Sequence, residues 1–457
     1  MNASAHNRRV VITGLGVISP LGNTPAALWA ALAAGRSGVA TTTLLPAAGQ
    51  PLKFAAEARE FTGEIEDFGP LEKERKKAIK KGLKVMCRET RMAVAAAQLA
   101  LADAGLAESS PDPEMSGVVL GSDYMLTMPE DYEGGMKKCA PGGAFHFERW
   151  GQEGLGEMAP LWMLKYLPNM PASHIAIFND LRGPNNSLTM REAAGNLAIG
   201  EAFRTIQRGH ANLMVAGATG TRILPMQAIH ALQTEQMASC AGFSEAGFSE
   251  AGLSEAGYNG DPTRASRPFD KNRTGMVAGE GAGMVVLEEL QFARQRGATI
   301  YAEVVGLGSA NVADAALRGK CDVALARAIK AALRDAGRAP ADVGHINAHG
   351  LSTTERDADE ARAIREVFGA LADNVPVTAP KSSFGNLGAG GGVVELAASV
   401  LALREGRLPR VLNYETPDPA CPLKVADTDN TPAGRSFLNL NVTPQGQAAV
   451  LCVAAVN

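Results

Sequence analysis

Apolar residues fall along this chain in two alternating patterns. Short runs such as Arg9-Val10-Val11-Ile12-Thr13, Val118-Val119-Leu120-Gly121, Ile300 to Val305 and Val343 to Ala348 read as strands. Between them, ETRMAVAAAQLALADAG (89–105) has the spacing of an amphipathic helix that Gly105 terminates, and ARAIKAALRDAG (326–337) ends in the same way. Gly14-Leu15-Gly16 and Gly306-Leu307-Gly308 each follow a strand and read as tight turns. LADAG (101–105) and LRDAG (333–337) therefore occupy matching places, each between a Gly-Leu-Gly and the next strand. The echo predicts a duplicated α/β unit, with halves at 1–262 and 263–457.

Two segments break the pattern. Residues 124–168 carry Gly, Met and aromatic residues without clean periodicity and read as a large insertion. AGFSEAGFSEAGLSEAG (241–257) repeats five residues three times and reads as a lengthened surface loop. Composition adds limits. A net charge of −4 gives no general attraction to nucleic acid or anionic membrane. The polar MNASAHNRR start runs directly into a strand, so no signal peptide is expected. VVELAASVLAL (393–403) is too short and too charged to span a bilayer. The cysteines at 87, 139, 240, 321, 421 and 452 lack metal-site spacing and read as reduced thiols of a cytoplasmic protein.

RASRPFDKNRTGMVAGEGAGMVVLEEL (264–290) makes the pattern specific. With VVITGLGVISPLG (10–22), LPNMPASHIAI (167–177) and the stretch from Arg182 to Gly220, it resembles the β-ketoacyl-acyl-carrier-protein synthases of the thiolase superfamily. NAHGLSTTERDADEARAIREVFG (347–369) and APKSSFGNLGAGGGVVELAASVLAL (379–403) resemble that family's two histidine motifs. These blocks are collinear over nearly the whole chain. The resemblance implies an α/β fold, a thiolase-like duplicated, layered αβαβα sandwich, usually dimeric. It also implies a phosphopantetheine-linked acyl substrate on an acyl carrier protein, and neither a metal nor a bound cofactor.

The family carries its acyl chain on a cysteine at the N-terminus of a buried helix, where N–H groups and the helix dipole stabilise thiolate. Counting from Gly183-Pro184, in NNSLTMREAAGN (185–196), which is expected to open a helical run, places that position at Glu192. His349 matches the first family histidine, and Asn386 stands at the second. An asparagine amide still donates a hydrogen bond to an oxyanion but cannot exchange a proton. Lys381, Asp357, Glu360 and Glu395 match a buried ionic network, and Gly279 to Gly283 an inner glycine-rich turn. Where the family has a gating loop rich in glycine and phenylalanine, this chain reads LNLNVTPQGQAAV (438–450), stiffened by Pro444.

Three functions fit these residues. The leading one is a non-catalytic partner subunit, like the chain-length factors that pair with a cysteine-bearing ketosynthase; a homodimer is the other assembly. In the second, Glu192 is a general base working with His349 and Asn386 on an acyl thioester. The third is decarboxylation of malonyl-carrier-protein, with Glu192 approximating a glutamine. KERKKAIKKGLK (73–84) supplies Lys73, Arg75, Lys76, Lys77, Lys80, Lys81 and Lys84, either a solvated helix face or a docking patch for an acidic carrier protein. Plain structural readings stand beside these. A glutamate at a helix start is most often solvated, a lone histidine is often a satisfied core residue, and the ionic network could serve only the fold.

Overall fold

A computed structural model describes residues 8–44, 52–107, 112–238, 243–244, 247–248 and 260–456. Among the described residues, ten strands form the main sheet. Five come from the first half: β1 Val10–Ile18, β2 Ser116–Ser122, β3 Asn185–Thr189, β4 Leu213–Thr221 and β5 Glu280–Glu289. Five come from the second: β6 Ala302–Asn311, β7 His345–Asn347, β8 Val377–Thr378, β9 Ser436–Val442 and β10 Gln447–Ala454. They pair in the order β8-β7-β9-β10-β6-β1-β5-β4-β2-β3.

That order is one pattern written twice. In each half the first strand is followed across the sheet by the fifth, fourth, second and third. Strand direction repeats as well. β2 is parallel to β3 and β4, as β7 is parallel to β8 and β9. The remaining pairs within each half are antiparallel. The halves join through antiparallel β1 and β6, Val10 opposite Val304. By strand pairing the first unit includes β5 and extends to Glu289, past the division at 262/263 that the sequence suggested.

The principal helices are α1 Arg88–Asp103, α2 Ala194–Gln207, α3 Cys321–Asp335 and α4 Gly391–Glu405. α4 is apolar around nearly its whole circumference, and every residue from Gly391 to Ala402 is buried, as expected for a helix with no solvent face. With α2 it fills the centre, packed on Val10, Ile12, Val285 and Leu451. α1 covers β2, β4 and β5 on one outer side; α3 and helix Thr354–Phe368 cover β9 and β10 on the other.

The two Gly-Leu-Gly segments are not turns. They lie inside β1 and β6. A Cβ on Gly16 would sit 1.9 Å from the Ala96 carbonyl oxygen, and one on Gly308 2.0 Å from that of Ala328. The glycines let α1 and α3 lie directly against the strands. Each strand also changes register at the same place, between Ile12 and Gly14 and between Val304 and Gly306. The N–H groups of Leu15 and Leu307 turn to Asp103 and Asp335, both at 2.8 Å. The matched aspartates of LADAG and LRDAG are therefore bulge partners.

Other boundaries shift for similar reasons. Residues 185–189 form edge strand β3, so the helical run begins only after Thr189. Glu280 to Gly283, expected as a turn, opens strand β5. Within 124–168 the chain has one longer helix, Pro129–Lys138, followed by short turns; Trp150 packs against Gly135, and Lys165 pairs with Asp131 at 2.7 Å. The repeat at 241–257 lies outside the described residues except for the paired dipeptides 243–244 and 247–248. Among the described residues no helix is long and apolar enough to cross a membrane, and no group of His, Cys, Asp and Glu could hold a metal ion.

Candidate active site

The duplicated topology brings together loops that leave the carboxyl ends of parallel strands, where α/β sheets commonly build sites. Glu192 is the third residue after β3, and Lys381 the third after β8. Asp123 follows β2, and Ala348-His349 follows β7. Arg222 leaves the end of β4. All four charged residues and His349 are buried.

The first half supplies an alternating chain of charges. Arg222 Nη2 lies 2.5 Å from Glu192 Oε1 and 3.1 Å from Asp123 Oδ2. Arg191 Nε lies 3.5 Å from Glu192 Oε2, and Arg191 Nη2 lies 2.5 Å from Glu235 Oε1. Burial by itself raises the Glu192 carboxyl. Arg222 first, then Arg191, outweigh that and hold it well below the usual carboxylate range. Asp123 and Glu235 move the other way, raised by burial and by the charge of Glu192. Glu192 is thus a fixed anion. The solvated helix-start reading does not hold, since only 2% of the residue is exposed.

The second half supplies mostly neutral donors. Asn386 Nδ2 is 3.3 Å from Glu192 Oε1. Burial first, then Lys381, pushes His349 well below its ordinary value, so its ring is neutral. His349 Nδ1 faces two donors, Lys381 Nζ and Asn441 Nδ2, each at 3.4 Å. It must accept from them, which places the ring proton on Nε2. That N–H has no partner among the described residues. A carbonyl oxygen brought beside it would find a ready donor.

The expected ionic network separates into two parts with different work. Lys381 pairs with Glu395, whose other oxygen takes Asn441 Nδ2 at 3.0 Å. Glu360 and Asp357 instead hold the loop after β7. Glu360 accepts the N–H groups of His349 at 2.6 Å and Gly350 at 2.8 Å. Asp357 accepts those of Leu351, Ser352 and Thr353, and that of Phe269 at 2.9 Å. Burial raises Glu360 to about 7 and Asp357 to about 6, against the pull of those N–H groups.

Sequence reasoning named Glu192, His349, Asn386 and Lys381 as candidates, and the fold brings them into one cluster. It missed Arg222, Asp123, Glu235 and Asn441. One signal was available for Arg222: an arginine directly after the buried apolar strand Leu213–Thr221 and before Ile223-Leu224 is out of place unless paired. The basic segment forms helix Lys73–Gly82 on the surface. Lys73, Lys76, Lys77, Lys80, Lys81 and Lys84 are exposed, whereas Arg75 is half-buried and bonds the Ala107 carbonyl at 2.9 Å.

Comparison with known proteins agrees with this architecture. The model of the β-ketoacyl synthase N-terminal domain matches residues 7–293, and that of the C-terminal domain matches 301–415. This chain belongs to the β-ketoacyl synthase family. The 3-oxoacyl-[acyl-carrier-protein] synthase 2 of Synechocystis is 37% identical, with 92% of this chain and 91% of that protein aligned. Its counterpart in Coxiella burnetii is 36% identical, with 91% of each covered. Among solved structures, a β-ketoacyl synthase from Burkholderia phymatum superposes with a TM-score of 0.79 at 27% identity. The ishigamide ketosynthase/chain length factor gives 0.77 at 28%. A type II polyketide ketosynthase in complex with its acyl-carrier protein gives 0.76 at 27%. Each covers 98% of this chain and 100% of the other. The fold is the thiolase-like layered α/β sandwich.

Proposed function

We propose that this chain is a non-condensing member of the β-ketoacyl synthase family, a partner subunit in acyl-carrier-protein metabolism that works beside a cysteine-bearing ketosynthase. The observation that carries it is the state of Glu192, which the family motif aligns with the nucleophilic cysteine. Its carboxylate is anchored by Arg222 at 2.5 Å and held ionised. An anion stabilised this strongly is a weak base, because proton abstraction improves as the base's pKa approaches the working pH. This counts against the general-base reading with His349 and Asn386. The same anion beside a malonyl carboxylate counts against decarboxylation. The likeness to a ketosynthase/chain length factor supports the partner role.

In this reading the acyl group arrives on the phosphopantetheine arm of an acyl carrier protein, and the exposed lysines of helix Lys73–Gly82 steer it electrostatically. His349, Asn386 and Lys381 remain as inherited oxyanion geometry, with Asp357, Glu360 and Glu395 holding them in place. The test is mass spectrometry of the protein, and of Glu192→Gln, incubated with malonyl- and acyl-carrier-protein. The proposal expects no change in any carrier-bound group, and co-purification with a cysteine-bearing paralogue when the two are co-expressed. Acetyl-carrier-protein formed by the wild type would overturn it in favour of decarboxylation. Another acyl change that Glu192→Gln abolishes would favour the base.

A further inference from the structure

Arg191 is unusual on two counts. Its φ is 51°, in the left-handed region that disfavours any residue carrying a Cβ. Its guanidinium also meets its own neighbour Glu192 and reaches two separate elements. Nε faces Glu192 at 3.5 Å, and Nη2 meets Glu235, which directly follows helix Pro225–Thr234, at 2.5 Å. Nη1 donates to Gln445 Oε1 at 3.3 Å. Gln445 sits in the turn between β9 and β10, closed by the Gly446 N–H on the Thr443 carbonyl at 3.0 Å.

An open cavity of about 580 Å³ lies against the same turn. It is lined by Pro444 and Gln445 together with Arg318, Lys320, Glu355 and Arg356. Gln445 therefore has the open cavity on one side and the Arg191–Glu192 cluster on the other. We infer that Arg191 is a strap that fastens the 443–446 turn across the approach to Glu192, keeping the outer cavity and the buried cluster apart. While it is fastened, a narrow arm such as a thioester can occupy the outer cavity but cannot reach residue 192. Its backbone strain is maintained by its three partners, so losing them favours release. The inference rests on this geometry and holds whether the chain is a partner subunit or an enzyme.

The test places a thiol behind the strap. In a Glu192→Cys variant, alkylation of residue 192 by N-ethylmaleimide is followed by peptide mass spectrometry. The rate is compared after adding Arg191→Ala, Arg191→Lys, Gln445→Ala, or Arg204→Ala as a remote ion-pair control. A strap predicts at least tenfold faster labelling with Arg191→Ala, a smaller gain with Gln445→Ala, partial protection with Arg191→Lys, and no change with Arg204→Ala. Equal rates with and without Arg191, or an equal gain from Arg204→Ala, would overturn it. If Glu192→Cys does not fold, hydrogen exchange of Arg191→Ala in the otherwise unaltered chain decides. Faster exchange confined to the 443–446 turn supports the strap. Unchanged exchange, or acceleration throughout the chain, refutes it.

Discussion

The two halves share strand order, strand direction, a register shift after the third residue of their first strand, and an aspartate that serves it. What they deliver to the centre differs. From equivalent strand ends the first half brings Asp123, Glu192 and Arg222, charges that pair mainly with one another and with Arg191. The second brings a neutral His349, Asn386, and Lys381 already paired with Glu395. Duplication fixes where loops converge. It leaves their chemistry free, because side chains beyond a strand end are not part of the sheet's hydrogen bonding or its packed faces.

The sharpest way to break this comparison is to unpair one side. Arg222→Met should cost about 3–5 kcal/mol in chemical denaturation, since it leaves Glu192 buried beside a single arginine. Glu192→Gln should cost clearly less, because an amide at that place is uncharged. A cost for Arg222→Met under about 1 kcal/mol would show that the charges are solvated and the centre open.

On the second half's side the effect depends on pH. The folded value of Glu360, about 7, lies above the ordinary 4.5, so folding favours its protonated form. That contribution is complete below pH 4.5 and is lost as pH rises through 7, at most about 3 kcal/mol over the window. Asp357, at about 6, acts in the same direction. Melting temperature measured from pH 5 to 8 should therefore fall less steeply in Glu360→Gln than in the wild type. A parallel slope would contradict the assignment.

Two smaller effects compare the halves position by position. Gly16→Ala and Gly308→Ala push a methyl into the helix backbone behind them, and each should cost about 1–3 kcal/mol or more, by similar amounts. Asp103→Asn and Asp335→Asn each weaken a charge-assisted bond to a strand N–H, at about 1 kcal/mol. Asp335 should be the costlier, because it is also paired with Arg204, whereas Asp103 meets the Tyr301 hydroxyl at 3.1 Å. Thermal unfolding of the four variants tests both statements, and a reversed order for the aspartates would break the second.

Most of the fold was legible in the sequence. Solid apolar runs and Ala/Leu helical spacing gave the strands, the helices and the duplication, because burial imposes a period on every element that packs. The amino-acid sequence also singled out Glu192, His349, Asn386 and Lys381 as candidates, since each stands in a motif of fixed local spacing. The Gly-Leu-Gly segments were misread because glycine marks a turn and a close helix–strand contact alike; only the position of Ala96 and Ala328 tells them apart. What the tertiary structure alone decided is the state of the site. Arg222 is thirty residues from Glu192 and Gln445 is 254 from Arg191. Whether a buried carboxylate is a base or an anchored anion depends on which charges the fold brings within a few ångströms of it, and local spacing carries no record of that.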